Sequence, residues 1–225
     1  VAQLSDLHYG TTTDVRLIHE AVAASNAARP DIVVVTGDFV SRKWKQPENV
    51  ASILKGLKSR HGVYGILGNH DHGSGARPLL AAMASVGITM LVNHAVQPVH
   101  GLWLVGVDDE REGRPDVERA FRGVRPCSAM IVLAHSPRGA ESMADKPCIV
   151  LSGDTHGGQV RIPFFTKYAV KRKWGKPYVS GWFEVGQARI YVNQGIGNTA
   201  LSVRFRCPPE VALFHLQSPE MEVHR

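Results

Sequence analysis

Short apolar runs rich in β-branched residues recur along this chain, and most of them end in Asp, His or Asn. Val33-Val34-Val35 precedes Gly37-Asp38, and Val63 to Leu67 precedes Gly68-Asn69-His70-Asp71. Met130 to Leu133 precedes Ala134-His135, and Ile149 to Leu151 precedes Gly153-Asp154-Thr155-His156. A further cluster, Asp6-Leu7-His8, follows Val1 to Ser5. Because Val1 to Ser5 reads as the middle of a strand, the chain is expected to start inside its first element, with an upstream leader or anchor removed. Runs of this length bounded by turn residues are strands. Strands that deliver N and O donors at their ends, where loops gather over a sheet, bring those donors to one place. A donor set of this kind suits Zn, Fe or Mn and not a thiolate site.

Helical patterns separate the early strands. Residues 14–28 align Leu17, Ala21, Ala24 and Ala28 on one face with Ile18 and Val22 beside them, and Asp14 is placed to cap the first turn. A second helix is expected at about 47–58, aligning Val50, Ile53, Leu54 and Leu57 behind Pro47-Glu48. A third spans 77–86 and is ended by Gly87. This alternation implies parallel strands covered by helices. From about residue 89 the helices thin out between strands at Leu91, Leu102 to Val107, Met130 to Leu133, Ile149 to Leu151, Arg189 to Val192 and Val211 to His215. A second, more antiparallel sheet packed on the first would explain the shift. The stretch 164–188 reads as a long irregular segment, basic through Lys167, Lys171, Arg172, Lys173 and Lys176.

Composition bounds the remainder. A chain of 225 residues, 44% hydrophobic and 20% charged, fits one soluble domain with a substantial core. The net charge of +6 and pI near 9.4 favour anionic partners, whether phosphorylated substrate, anionic membrane or nucleic acid, and equally serve solubility alone. The three cysteines, Cys127, Cys148 and Cys207, are too sparse for a disulfide framework or a soft-metal site, and Cys148 reads as a small buried hydrophobe. No apolar run approaches the roughly 18 residues of a membrane-spanning helix.

Asp-x-His, Gly-Asp, Gly-Asn-His-Asp, a lone His and Gly-x-Thr-His, in that order over residues 6–156, resemble the calcineurin-like metallophosphoesterase superfamily. The run Thr155 to Pro163 and the later Pro208-Pro209-Glu210 are similar to a bacterial, membrane-associated branch that includes UDP-2,3-diacylglucosamine pyrophosphatases. The resemblance implies an α/β fold, a four-layer α-β-β-α sandwich of two mixed sheets flanked by helices, forming a single domain over residues 1–225. It implies two divalent ions: Asp6, His8 and His156 on one, Asp38 bridging, and Asn69, His135 and position 154 on the other. It makes His70 the phosphate-binding or proton-donating group. Physical reasons stand beside these roles. One carboxylate can bridge a pair of cations, and the pair makes hydroxide available near neutral pH. His70, in a tight Gly68-Asn69 turn, could protonate a leaving oxygen, and Asp71 could fix its tautomer.

The departure is Asp154, where the superfamily usually has His. An aspartate is a harder, charged donor that tilts preference among Mn, Fe and Zn toward Mn, or is too short to reach and leaves the second position weak or empty. Gln159 and Arg161 are candidate substrate-binding or supporting groups. His61, His72, His94 and His100 match no motif and read as surface or loop residues, with His72 a candidate for the cleft rim. Asp108-Asp109-Glu110 reads as a solvated loop. Asn193 to Gly197 suggests another turn close to the cleft.

Three functions compete: a metal-dependent phosphoesterase, a degenerate relative acting as a non-catalytic binding module, and a phosphomonoesterase or nuclease using the same site. The motifs favour the first, cleaving a phosphodiester or pyrophosphate through a hydroxide bridging the metals. The expected partner is a phosphorylated small molecule or a lipid-linked nucleotide such as UDP-2,3-diacylglucosamine. Peripheral contact of the 167–176 segment, with Tyr168 and Trp174, with an anionic membrane is a further expectation, and no nucleic acid is expected.

Overall fold

The computed structural model describes residues 1–125 and 128–217, so Cys127 lies outside the described residues. In chain order the elements are β1 (Ala2–Leu4), α1 (Val15–Ala27), β2 (Val33–Val35), α2 (Pro47–Leu54), β3 (Val63–Gly65), α3 (Asn69–Ser74), α4 (Ala76–Ser85) and β4 (Ile88–Met90). There follow β5 (His94–Val99), β6 (Leu102–Gly106), α5 (Val117–Ala120), β7 (Ala129–Leu133), β8 (Ile149–Ser152), α6 (Phe165–Trp174), β9 (Gly181–Val185), β10 (Ala188–Val192) and β11 (Ala212–Leu213). Short 3-10 turns occupy Gly139–Met143 and His156–Gly158. Asp14 caps α1 as expected, accepting from the Arg16 amide, and Pro47 opens α2 at a position where its missing N–H costs nothing.

Two mixed sheets result, one ordered β11-β1-β2-β3-β4 and one ordered β5-β6-β7-β8-β10-β9. The first is parallel from β1 to β4, with β11 antiparallel at its edge. The second sheet is the more antiparallel of the two, with two antiparallel pairings against one in the first. Its centre, β6-β7-β8-β10, is parallel, and only the edge pairings β5-β6 and β10-β9 are antiparallel. The crossovers there are made by the short α5, the turn at Gly139–Met143 and, between β8 and β10, α6 with β9, so the sequence lacks the strongly periodic helices that usually announce parallel strands. Pro98, which cannot donate to a ladder, sits on edge strand β5, where the register with β6 shifts between Val96 and Val99.

Period-two alternation divides the apolar residues among three cores. Val33 and Val35 face α1, α2 and α4 together with Leu4, Ile18, Val50, Leu54 and Met83. Ile32 and Val34 face the other sheet, meeting Leu104, Ile131, Leu133 and Leu151 between the sheets. Val105, Val132, Val150 and Ile190 point outward to Ala140, Met143 and Tyr178. Helix, sheet, sheet and helical cover are therefore the four layers, and strands buried on both faces read as continuous apolar runs. Cys148 and Cys207 are buried free thiols, and burial pushes Cys148 up to about 11. Among the described residues no helix is long and apolar enough to cross a membrane.

The segment 164–188 is not irregular. It holds α6 and β9, and α6 ends at Gly175 in a left-handed conformation that a glycine adopts without a Cβ clash.

Candidate metal centre

Five candidate ligands share a backbone trait. Asp6, His8, Asp38, Asp154 and His156 have φ of 52°, 45°, 54°, 67° and 53°, in the left-handed region that side chains with a Cβ seldom occupy. Each follows the end of β1, β2 or β8, so three neighbouring loops turn sharply and aim their side chains at one point. Close loop approach needs small residues. A Cβ on Gly37 would lie 2.6 Å from His135 Nδ1, and one on Gly153 would collide with Ser5 and Asp6.

The donor atoms converge. His8 Nε2 lies 2.9 Å from His156 Nε2 and 3.3 Å from Asp38 Oδ2, and His156 Nε2 lies 3.3 Å from Asp6 Oδ1. His135 Nε2 lies 3.4 Å from Asp38 Oδ2 and 3.9 Å from Asp154 Oδ1. Three overlapping sets could each hold a cation: Asp6, His8 and His156; His8, Asp38 and His70; and Asp6, Asp38 and His135. All but His70 are buried.

The chemistry of these donors fits a cation. His135 Nδ1 donates to the Thr36 carbonyl at 2.7 Å, because a carbonyl can only accept. Its Nε2 is buried, has no hydrogen-bond partner among the described residues, and faces Asp38. A backbone carbonyl that fixes one ring nitrogen and frees the other is the usual support of a metal-ligating histidine. Burial works against charge on His135, but Asp38, Asp6 and Asp154 outweigh it and push the imidazole well above its ordinary value. Burial pushes His8 down to about 3 despite Asp38, and His156 down to about 3 with Arg204 adding to the effect. Burial raises Asp6 against its histidine neighbours. Asp38, for which burial alone would do the same, is held low chiefly by His135. The neutral imidazoles of His8 and His156 beside the ionised Asp38 carboxylate form a ligand set ready for a divalent ion.

Behind the site runs a buried polar chain: Gln3 Nε2 donates to Thr36 Oγ1 (2.9 Å), Thr36 Oγ1 to Ser5 Oγ (2.8 Å), and Ser5 Oγ to Asp6 Oδ2 (2.6 Å). The Asp154 amide donates to both Asp6 oxygens at 3.1 Å. Such a chain fixes the direction of a carboxylate that has no solvent to orient it. The turn at 193–197 does approach the cleft, since the Gly197 amide donates to the Asp6 carbonyl at 2.7 Å.

His70 stands at the rim, its ring in edge contact with His8 at 4.6 Å. Its amide donates to Asp38 Oδ1 at 2.8 Å, and its Nδ1 accepts from the Arg42 amide at 3.1 Å. In the neutral ring the proton is therefore on Nε2. The expectation that Asp71 fixes this tautomer is corrected. Asp71 is fully buried and accepts from the amides of Val40 (3.1 Å) and Gly68 (2.9 Å), tying two loops together instead of touching the imidazole. Burial, reinforced by Asp38, raises Asp71 to about 8.

Gln159 and Arg161 are engaged within the chain. Gln159 donates to the Leu201 and Val203 carbonyls and accepts from the Thr199 amide. Arg161 donates to Gly157 O, Ser180 Oγ and Gln194 Oε1. Both brace the loops around the site. His72 is held 2.7 Å from Asp108. The loop after β6 is not a solvated acidic run. Asp109 is 1% exposed and accepts from the amides of Arg111 and Glu112, while Asp108 accepts from those of Asp109 and Arg114.

That loop delivers a residue that sequence reasoning passed over. Arg111 Nη2 donates to Asn69 Oδ1 at 2.7 Å and pairs with Asp154 Oδ1. An aspartate where the superfamily usually has a neutral histidine invites a cationic partner, and Arg111 follows a strand end like every other site residue. Asn69 and Asp154 are thus brought together, but around a guanidinium. Beside them, a cavity of about 360 Å³ is lined by Asp154, His156, Ile162, Phe165, Val170 and Lys173. A roomier cleft of about 620 Å³ lies at the strand beginnings near Val1 and Phe214, away from these donors.

A four-layer α/β fold with buried His and Asp donors clustered at its strand ends defines a metal-binding phosphoesterase. The chain belongs to the calcineurin-like phosphoesterase family, which residues 1–171 match. It is 32% identical to the metallophosphoesterase YkuE of Bacillus subtilis, over 97% of this chain and 79% of YkuE. It is also 32% identical to the phosphodiesterase YaeI of Escherichia coli, over 95% and 80%. The UDP-2,3-diacylglucosamine pyrophosphatase LpxG of Chlamydia trachomatis is 28% identical over 95% of this chain and 82% of LpxG. The sulfate thiohydrolase SoxB of Thermus thermophilus, solved with glycerol, shares the fold with a TM-score of 0.51 and 14% identity. That match covers 80% of this chain and 37% of SoxB.

Proposed function

We propose that this protein is a cation-dependent phosphodiesterase or pyrophosphatase acting on an amphiphilic phosphoester. The observation that carries the reading is the convergence of Asp6, His8, Asp38, His135 and His156 donor atoms in one buried cluster beside a largely apolar cavity. A divalent ion held by Asp6, His8, Asp38 and His156 would supply a Lewis acid for the phosphoryl oxygens and a water of lowered pKa. Two carboxylates and two imidazoles suit Mn, Fe or Zn, and Mn²⁺ is the ion used to test the reading. The protein's own groups do the rest. His70, its Nδ1 held by the Arg42 amide, presents its Nε2–H as a hydrogen-bond donor to a phosphoryl or leaving oxygen as negative charge develops there. Asp71 and Asp109 hold the loops that carry His70 and Arg111.

The substrate class follows from the cavity and its rim. Ile162, Phe165 and Val170 offer an apolar wall next to the ligands. Phe164, Phe165 and Tyr168 are 94%, 60% and 63% exposed beside Lys167, Lys171 and Arg172 on α6. An apolar ridge bordered by lysines and arginine suits an anionic lipid surface. The pyrophosphate link of a diacylated nucleotide sugar, as in the substrate for which LpxG is named, has the matching chemistry.

Initial rates with Mn²⁺ on UDP-2,3-diacylglucosamine, bis(p-nitrophenyl) phosphate and p-nitrophenyl phosphate test the bond type. The diester and pyrophosphate are expected to react faster than the monoester, with His70→Ala slower by roughly 10²–10⁴-fold. Preference for the monoester would refute the assignment.

A further inference from the structure

Two features of this chain occur together: an aspartate at 154 and an arginine reaching it from the loop after β6. Arg111 Nη2 touches both Asn69 Oδ1 and Asp154 Oδ1. These are two of the groups expected to hold a second divalent ion, and Asp154 also lies 3.9 Å from His135 Nε2. A histidine at 154 would be a poor partner for a guanidinium, whereas an aspartate is a strong one. The substitution and the arginine therefore make sense as a pair.

The arginine is also deliberately aimed. Asp109, 1% exposed, accepts from the Arg111 amide at 3.0 Å and the Glu112 amide at 2.9 Å, folding the chain so that the intervening side chain turns inward. Asn93 Oδ1 accepts from the amides of Asp108 and Asp116, and Asn93 Nδ2 donates to the Arg114 carbonyl, closing the loop at its base. Asp108 adds bonds from the Arg114 amide and His72. A loop with this many internal bonds holds its tip in one place. The Arg111 side chain is 34% exposed, so a phosphate entering the cleft can reach it. Both contacts use one guanidinium nitrogen, and among the described residues Nε and Nη1 make no hydrogen bond to the protein. Those donors are available for a phosphoryl oxygen.

We propose that Arg111 is the resident cation of the second half of the site. Its guanidinium, fixed by Asn69 and Asp154, stands where a second divalent ion would be held. The protein then retains one divalent ion per chain and offers the substrate phosphate an arginine beside it. The inference rests on the cation-dependent reading above and specifies how that site is filled.

Metal content tests it. The metal-stripped protein, Arg111→Ala and Arg111→Met are dialysed to equilibrium against Mn²⁺ and the bound ion is counted by elemental analysis, with circular dichroism to confirm folding. The expected result is one ion per chain in the parent protein and two in either folded variant. Two ions in the parent overturn the proposal while leaving the phosphoesterase reading intact. One ion in the parent and in both variants also overturns it, since removing the guanidinium would then admit nothing. No ion in any of them would sink both readings together.

Discussion

At Asp6, His8, Asp38, Asp154 and His156 the backbone is held in a conformation that costs side chains with a Cβ about 1–2 kcal/mol each. Strain of this kind persists where surrounding structure over-determines it, and it gathers at functional sites. The residue types at these positions were legible in the sequence, because Asp and His ending apolar runs have few other uses in such numbers. The partners were not. Arg111 and Arg204 lie far from the motifs they serve, Arg204 within 3.4 Å of His156 Nδ1, and nothing local marks them. The His72–Asp108 pair gives a residue-scale prediction. The Asp108 hydrogen bond raises His72 above 6.5, so its share of stability is full below that pH and fades as pH rises through the raised value. Asp108 works against its burial but is lowered below 3.8 by His72 and backbone amides, so its share is present above that pH and fades as pH falls through the lowered value. The stability gap between the parent and His72→Gln should therefore be widest from about pH 4 to 6.5, on the order of 1 kcal/mol. Urea unfolding across pH checks this, and a gap that stays constant to pH 9 would contradict it.

Among elements, α6 is the one that local sequence concealed. Four of its ten residues are charged, and among the described residues only Thr166 and Val170 are buried, so no clear amphipathic period announces a helix. Its order comes from tertiary contact: Thr166 accepts from the Ile162 amide and donates to the Val160 carbonyl, seating the first turn against the metal-site loop. The Arg161 amide in turn donates to the Phe205 carbonyl, which brings the exposed Leu201, Val203 and Phe205 alongside the α6 ridge. If this element meets an anionic bilayer, Lys167→Glu/Lys171→Glu/Arg172→Glu should weaken binding to phosphatidylserine vesicles. At about 1 kcal/mol per basic residue the loss is roughly 100-fold, and the parent's affinity should fall as salt rises. Vesicle sedimentation reads both, and equal binding by parent and variant would remove α6 from any membrane role.

For the whole molecule, the β-branched runs and the helices between β1 and β4 carried the fold in plain view, since a strand buried on both faces has no polar period to hide it. The parallel centre of the second sheet was hidden because its crossovers are the short α5, a 3-10 turn and the weakly periodic α6. The layers meet the function at one edge, where β1, β2, β7 and β8 all end and deliver Asp6, Asp38, His135 and Asp154. A site assembled from both sheets can form only when the two sheets are packed together, so cation binding and global folding are linked. The measurement that tests this account most directly follows bis(p-nitrophenyl) phosphate hydrolysis and the melting temperature together. Both are recorded on metal-stripped protein before and after Mn²⁺, with Asp38→Asn alongside. The account predicts no hydrolysis until Mn²⁺ is added, then a rate together with a stabilisation of about 2.7 kcal/mol at a hundredfold excess over the dissociation constant. Both gains should be lost in Asp38→Asn. Hydrolysis that persists in chelator, or that Asp38→Asn leaves unchanged, would contradict it.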